Sequence, residues 1–294
     1  MDTPLSSLRA GAAAGEGKID PEENSLLPEL LVKELTTRWA GRGEIDYQPE
    51  MGSTNARLKE LALSGAPKGS LALCDLQTAG RGRLQRQWTA VRGQALTHSL
   101  LAVPSLPPEK LALCTFAAAV AMAQAIEELC PGLRPGLKWP NDVVLNGKKC
   151  VGILSELCSG ARNAVVLGVG VNVGQTEFTE ELRDKATSLL LELRRQAPTA
   201  QAPCRRKLLC AYLRRLEQSM DALEKEGVAG LMPAYSAYSV TLGRPVRVSG
   251  GGEEFVGLAR ALDEEGALLV TDSEGVCRRV LCGDVSVRGI MGYV

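Results

Sequence analysis

The sequence has little histidine, few aromatic residues and no excess of either charge. It holds one histidine, His98, which excludes metal sites built on several histidines and catalysis by a histidine pair. His98 lies in a strand-like run without a nucleophile-elbow motif, so a buried, structural role is favoured. Aromatic residues make up 4%, and Lys plus Arg equal Asp plus Glu at 34 each. These values argue against a nucleic-acid or membrane-surface protein, and any affinity for anions must be local.

Cysteine pairs and long apolar segments are also missing. The nine cysteines are scattered without a C-x-x-C pair, and several lie inside apolar runs. This pattern indicates reduced thiols packed as small hydrophobic residues, as in a cytoplasmic protein, and neither a disulfide framework nor a zinc site. The longest apolar run, 116–126, is too short for a bilayer and predicts a buried helix. The N-terminus does not have the pattern of a signal peptide, so we expect no membrane association.

The most informative stretch is an arginine- and glycine-rich loop between two apolar strands. The first strand includes 71–73, the loop reads Gly80-Arg81-Gly82-Arg83 and continues to Trp88, and the second strand runs through Ser99 to 103. Glycine allows close approach of a backbone to a ligand, and arginine offers forked donors to phosphate or carboxylate oxygens. The loop therefore indicates an anion site, although a solvated Arg/Gly loop explains this motif alone equally well.

A second stretch predicts a hairpin that carries charged and amide side chains. Asn146-Gly147 stands between two β-rich runs, which is a strong hairpin signal. The hairpin brings Lys149 and its neighbour Lys148 close to Asn141-Asp142. Lys148 is interpreted as a solvated charge at the turn.

Small residues in two other places are compatible with a ligand. Gly52-Ser53-Thr54-Asn55 predicts the cap of a helix to about Ser64, and the same groups could present hydroxyls and amides to a polar ligand. Gly168 and Gly170 share one side of a strand over 164–173, which leaves room there for a ligand or for a packed helix. The glycines alone do not distinguish these two interpretations.

The remaining pattern divides the chain into three parts. Helices are predicted over 26–40, 107–130, 179–193, 204–226 and 229–238. From about residue 240 the pattern changes to five short strands separated by turn residues, which predicts a small β-barrel-like domain of about 55 residues. We expect a flexible lead-in and short helix over 1–43, a main domain over 44–239 and a small domain over 240–294.

Three motifs in this order resemble the biotin protein ligases: GRGRLQRQW, KWPNDVVLNGKKCVGILSE and VVLGVGVNV. The resemblance covers about residues 45–294. It implies an α/β (α+β) fold: a mixed, largely antiparallel central sheet with flanking helices, of the class II aminoacyl-tRNA-synthetase-like type, plus a C-terminal SH3-like β-barrel. Because some 44 residues precede this region, the resemblance suggests the monofunctional type without an N-terminal DNA-binding domain.

The resemblance also implies a reaction in two steps. Biotin is adenylated with ATP and Mg²⁺ to biotinyl-5′-AMP, and the biotinyl group then passes to a lysine of the biotin carboxyl carrier protein. No DNA partner is expected. The oligomeric state implied is a monomer or a homodimer.

Matching the family's motifs residue by residue assigns roles to positions of this sequence. The catalytic residues implied are Lys149, Arg81 and Arg83. The biotin-binding residues implied are Ser53, Thr54, Asn55, Gln77, Gly80, Ile153, Gly168 and Gly170. The residues implied on the ATP or adenylate side are Gly82, Trp88, Asn141, Asn172, Asp284 and Arg288. Asp142 is assigned to Mg²⁺ or to orientation of the lysine, with a hairpin cap as the alternative.

Three alternative functions remain. A lipoate or octanoate ligase of the same superfamily performs a related acyl transfer, but the polar Ser-Thr-Asn cluster and Gln77 favour a ureido ring. A non-enzymatic nucleic-acid-binding module fits the arginine loop but not the neutral composition. A biotin-responsive repressor requires the missing helix-turn-helix. Gln85, Thr97 and His98 depart from the family pattern, which concerns the shape of the pocket rather than the reaction.

Overall fold

The structure of the protein is a computed structural model. It describes residues 24–158, 164–250, 253–282, 285–289 and 293–294. The predicted adenylate residue Asp284 lies outside the described residues.

A seven-stranded mixed sheet forms the centre of the molecule. Its strands are β1 (Ile45–Met51), β2 (Leu71–Gln77), β3 (Ala95–Ala102), β4 (Gly136–Lys138), β5 (Asp142–Leu145), β6 (Lys148–Leu157) and β7 (Val165–Asn172). Their order is β1-β2-β3-β7-β6-β5-β4. β1 and β2 are parallel and the other neighbours are antiparallel. The predicted mixed sheet is confirmed.

Helices cover both faces of this sheet. They are α1 (Pro28–Glu34), α2 (Thr54–Leu63), α3 (Cys114–Leu129), α4 (Leu189–Gln196), α5 (Arg205–Glu226) and α6 (Val228–Tyr238). α2 packs on one face against β2, β3 and β7, while α3 and α5 pack together on the other. By length and composition alone, Pro108–Leu129 could cross a membrane, but 72% of its most apolar window is buried inside the protein.

Burial explains why the central strands are apolar throughout. Every residue of β3 and β7 is buried, because both faces of these strands are covered. A large core lies on the α3–α5 side and includes Phe116, Val169 and Tyr212. A smaller core under α2 includes Leu58 and Val166. The candidate site lies on the α2 side of the sheet.

A smaller antiparallel sheet follows near the C-terminus, consistent with the expected SH3-like domain. Its strands are β8 (Pro245–Gly250), β9 (Glu253–Leu262), β10 (Leu268–Asp272), β11 (Cys277–Val280) and β12 (Val285–Gly289), in the order β11-β10-β9-β8-β12. Buried residues of this sheet, such as Val248 and Val270, belong to the same apolar core as α3.

Two predicted helices are wrong in extent. The helix over 26–40 ends at Glu34, because Leu35 is extended and the backbone N–H groups of Trp39 and Ala40 donate to Glu217 of α5. The helix over 179–193 is confined to α4, which Ser188 caps by accepting a hydrogen bond from Leu191 N–H. In both cases contacts with distant residues override a local helical pattern.

Candidate functional site

The β5–β6 hairpin presents Lys149 through a bulge. Asn146 and Gly147 both have positive φ, 47° and 75°, as a tight hairpin turn requires. The pairing register shifts between Val143 and Val144, so that two consecutive residues of β6, Cys150 and Val151, both enter the core. This shift places Lys149 on the same face as Gly152: a Cβ on Gly152 would lie 3.1 Å from Lys149 Nζ.

Lys149 forms an ion pair at the start of β5. Its Nζ lies 2.6 Å from Oδ1 of Asp142, and the phenolic hydroxyl of Tyr293 donates to Oδ2 of the same carboxylate. Burial would raise the pKa of Asp142, but Lys149, Tyr293 and Lys138 outweigh it and hold that pKa below its usual value. Asp142 is therefore an ionised carboxylate that orients the lysine.

Lys138 is a buried cation that the motif match did not assign. Only 8% of Lys138 is exposed, and burial lowers its pKa to about 8 despite the nearby Asp142. The two lysines thus concentrate positive charge around one carboxylate. By contrast, Nζ of Lys148 donates to the carbonyl of Arg183, so this neighbour points away from Asp142.

A polar cluster lies where α2 begins beside β2. Ser53 caps α2 by accepting from Ala56 N–H, and both the N–H and the hydroxyl of Thr54 donate to Oε1 of Gln77, at 2.7 and 3.1 Å. These three predicted biotin-binding residues come together. Ser99 of β3 also belongs to the cluster, because its hydroxyl oxygen lies 2.8 Å from that of Thr54.

Asn55 lies under the cluster and against β7. Its Oδ1 accepts from Ser99 at 2.6 Å, while its Nδ2 donates to the Leu154 carbonyl and to Glu156. A Cβ on Gly168 would lie 2.0 Å from Asn55 Oδ1. Sequence reasoning missed Ser99 and Glu156, because only the register of β3, β7 and β6 brings them to Asn55.

The arginine loop folds back on itself. Trp88 N–H donates to the Gly80 carbonyl at 3.0 Å, and Arg81 forms an isolated antiparallel bridge with Gln87. A Cβ on Gly80 would lie 2.5 Å from the Trp88 carbonyl oxygen, so only glycine fits there. Gly82 lies inside the same turn and donates its N–H to the Arg86 carbonyl.

The turn places the indole of Trp88 over the glycines of the sheet. A Cβ on Gly170 would lie 2.4 Å from the indole, and one on Gly152 would lie 3.2 Å from it. Lys149 Nζ is 6.0 Å from the ring centroid. The side of β7 predicted to be free for close approach therefore holds Trp88 and Asn55.

The two loop arginines have different surroundings. Arg83 donates to Oδ1 of Asn141 at 3.1 Å and to the carbonyl of Cys282 in the C-terminal domain. Burial would raise the pKa of Glu156, but hydrogen bonds from Lys59 and Asn55 lower it, and the charge of the exposed Arg81 adds to that effect. Arg288 is also exposed, near enough to lower the pKa of Lys138. The site thus gathers arginines from the loop and from the small domain.

Two predicted site residues lie elsewhere. Ile153 is 1% exposed and belongs to the large core, on the face opposite to Gly152, because strand residues alternate. The expected position of Ile153 in the biotin wall is therefore corrected: Gly152 and Leu154 are the β6 residues beside Trp88 and Asn55. Asn172 is buried and binds the Thr187 carbonyl and Gln175.

The hydrogen bonds of Asn172 hold a loop next to Lys149. The loop pairs with β6 at Lys149, whose N–H donates to the Lys185 carbonyl and whose carbonyl accepts from Thr187 N–H. Asn172 is thus linked to Lys149 through this loop.

The described residues do not form a protein-built magnesium site. Both oxygens of Asp142, the predicted ligand, are engaged by Lys149 and Tyr293. Among the described ranges, no group of three or more His, Cys, Asp or Glu residues could hold a metal ion. The arrangement favours orientation of Lys149 over metal ligation as the role of Asp142.

Fold and site together define a ligase of the biotin/lipoate type. The model of the biotin/lipoate A/B protein ligase family matches residues 48–172, and that of the biotin protein ligase C terminal domain matches 241–288. The biotin–[acetyl-CoA-carboxylase] ligase of Mycobacterium tuberculosis is 37% identical over 273 residues, which are 90% of this chain and 98% of that protein. The bifunctional ligase/repressor BirA of Bacillus subtilis is 35% identical over 82% of this chain and 73% of its own.

A solved structure agrees with these relatives. The biotin protein ligase from Aquifex aeolicus in complex with biotin and ATP superposes with a TM-score of 0.71 at 29% identity, covering 84% of this chain and 99% of that chain. This chain therefore belongs to the biotin protein ligase family.

Proposed function

We propose that this enzyme adenylates biotin with ATP and transfers the biotinyl group to a lysine of the biotin carboxyl carrier protein of a biotin-dependent carboxylase. In the first step a carboxylate oxygen of biotin attacks the α-phosphorus, and the bond to the pyrophosphate leaving group breaks. In the second step the acceptor amine attacks the acyl carbon of biotinyl-5′-AMP, and AMP leaves. Family membership and the site geometry support this function.

The observation that carries the proposal is the position of Lys149 beside a glycine-lined face and a polar cluster. The Thr54–Gln77 and Asn55–Ser99 groups offer donors and acceptors suited to an uncharged ureido ring. Lys149, fixed by Asp142, lies where it would neutralise the biotin carboxylate and the α-phosphate as they approach each other. Two anions must meet in this reaction, so fixed positive charge is the main requirement.

The arginine loop would close over the intermediate. Arg83 already bridges the loop to Asn141 and to the C-terminal domain, and Trp88 covers the sheet glycines. Closure of this kind excludes water, which would otherwise hydrolyse the mixed anhydride. We propose that ATP binds as its Mg²⁺ complex with the metal held chiefly by phosphate oxygens.

The decisive experiment is biotin-dependent ATP–pyrophosphate exchange by the purified protein, with lipoate and octanoate as competitors. Exchange with biotin alone is the expected result, followed by transfer to a carrier-protein domain. Exchange with lipoate would instead assign the sister activity, which the family model over 48–172 also includes. The match to the biotin protein ligase C terminal domain favours biotin.

The proposal extends to the surroundings of the enzyme. All nine cysteines are free thiols, which suits a reducing cytoplasm. A ligase that does not bind DNA should show no salt-dependent retention on DNA, and sedimentation of the purified protein decides between monomer and homodimer.

A further inference from the structure

We propose that Tyr293 is a positioning residue for Lys149; this inference rests on the proposed function. The phenolic hydroxyl of Tyr293 donates to one oxygen of Asp142, and the other oxygen lies 2.6 Å from Lys149 Nζ. A carboxylate with an ion pair on one oxygen and a hydrogen bond on the other cannot rotate without losing one of them. The tyrosine therefore fixes the direction in which Asp142 holds the lysine.

The ring of Tyr293 has a second contact on the same site. Lys138 Nζ lies 3.4 Å from the ring centroid, in cation–π contact, and Lys138 is itself buried. One face of the tyrosine thus covers a buried ammonium while its hydroxyl meets the carboxylate between two lysines. The hydroxyl can be removed while the ring is kept, so the effect of the hydroxyl can be measured alone by substitution.

Tyr293 follows the C-terminal sheet in the sequence but contacts Asp142 in the central sheet. Tyr293 and Asp142 are separated by 151 positions in the sequence. Val294 lies against β12, because a Cβ on Gly289 would lie 2.1 Å from the Val294 backbone carbon. The C-terminal domain therefore supplies a side chain to the orientation of the catalytic lysine, next to the contact that Arg83 makes with Cys282.

Tyr293→Phe tests the hydroxyl while keeping the ring over Lys138. We expect the kcat of biotin-dependent exchange to fall about 10-fold, the loss typical of a hydrogen bond to a charged group, with little change in KM for biotin. Loss of this donor raises the pKa of Asp142, which must be ionised to hold Lys149. The acid limb of the pH–rate profile should therefore move to higher pH.

Tyr238→Phe is the matched control, because Tyr238 donates a similar hydrogen bond to Glu127 on the opposite side of the sheet. It should leave kcat and the acid limb unchanged. Tyr293→Leu, which also removes the ring, should lower kcat further than Tyr293→Phe.

A measurement without turnover separates this inference from the proposed function. Labelling of Lys149 by acetic anhydride, followed by mass spectrometry, should be faster in Tyr293→Phe than in the wild type or Tyr238→Phe. An unchanged labelling rate together with an unmoved acid limb in Tyr293→Phe would overturn the inference. A faster exchange reaction in this variant would also overturn it, because Tyr293 would then obstruct the site. Wild-type protein without biotin-dependent exchange would overturn the proposed function, whatever the labelling shows.

Discussion

At the scale of single residues, His98 is a titratable group enclosed in apolar surroundings. It is fully buried in β3, and neither ring nitrogen has a hydrogen-bond partner among the described residues. Its ring meets Tyr212 edge to face at 5.1 Å between centroids. Burial lowers the pKa of His98 to about 3, so the neutral ring is strongly favoured in the folded protein.

This burial predicts acid-sensitive stability. The unfolded chain binds a proton at His98 below about pH 6.5, whereas the folded protein does so only near pH 3, so stability is lost as pH falls between these values. Going from pH 7.5 to 5.5 should cost the wild type about 1.4 kcal/mol more than His98→Leu. Urea unfolding of both proteins at the two pH values measures the difference. Equal losses would show that His98 is protonated as easily in the folded protein as in the unfolded chain.

Lys149 carries the prediction closest to the chemistry. Lys149→Ala should lower kcat/KM for adenylation by at least about 100-fold, because the fixed charge beside the reacting groups is gone. The fold should persist, since Asp142 keeps its hydrogen bond from Tyr293. Exchange assays and circular dichroism check both statements. Lys148→Ala, on the same hairpin, should retain activity, and near-normal adenylation by Lys149→Ala would refute the assignment.

At the scale of secondary-structure elements, a substitution in β7 tests whether its glycine-lined face limits biotin binding. Gly170→Ala would put a methyl group 2.4 Å from the Trp88 indole, so the ring has to move. Overpacking of this size typically costs 1–3 kcal/mol, and we expect KM for biotin to rise about 10-fold. Steady-state exchange kinetics measure the change.

Gly174→Ala provides the control two residues after β7. A Cβ there would meet its nearest atoms at an ordinary 3.7 Å. Unchanged KM in both variants would show that the indole moves aside at no cost and that this face does not limit biotin binding.

The elements that sequence predicted best are those whose signals are local. Asn146-Gly147 specified its turn because both residues adopt positive φ readily. The segment 179–187 looked helical but pairs with β6 at Lys149, a contact that no local pattern contains. The bulge that directs Lys149 to the ligand-facing side was likewise invisible, because it depends on the pairing of β5 with β6.

In the candidate site, too, local motifs identified some residues, and contacts between distant parts of the chain bring in the others. Motif matching found Thr54, Gln77 and Lys149, and the structure brings the first two into direct contact. It missed Ser99 and Tyr293, which reach the site through strand register and through the position of the C-terminal domain. It also misplaced Ile153, because its neighbour in the strand, not Ile153 itself, faces the ligand side.

At the scale of the whole molecule, the contacts that join the two sheets indicate that both sheets unfold together. The N–H of Trp139, a buried residue of the KWPND motif, donates to the Thr241 hydroxyl at 3.0 Å. Thr241→Val leaves that N–H buried without an acceptor and should lower the free energy of unfolding by about 1–3 kcal/mol. Because one apolar core joins both sheets, urea unfolding should show a single transition.

Thr241→Ser keeps the hydroxyl and is the control. It should lose less stability than the valine variant. Two separate unfolding transitions, or equal losses in both variants, would contradict the idea of a shared joint.

The same joint has a consequence for how this enzyme diverges in evolution. Trp139 Nε1 donates to the carbonyl of Gly266, and Arg83 donates to the carbonyl of Cys282. A main-chain oxygen is present whatever side chain occupies its position. At these two contacts the acceptor atoms in the small domain are therefore ones that no side-chain substitution removes, unlike the Thr241 hydroxyl. A substitution at Cys282 that its packing against the core tolerates leaves this main-chain acceptor in place, so correlated substitutions between Arg83 and position 282 would not reveal the contact.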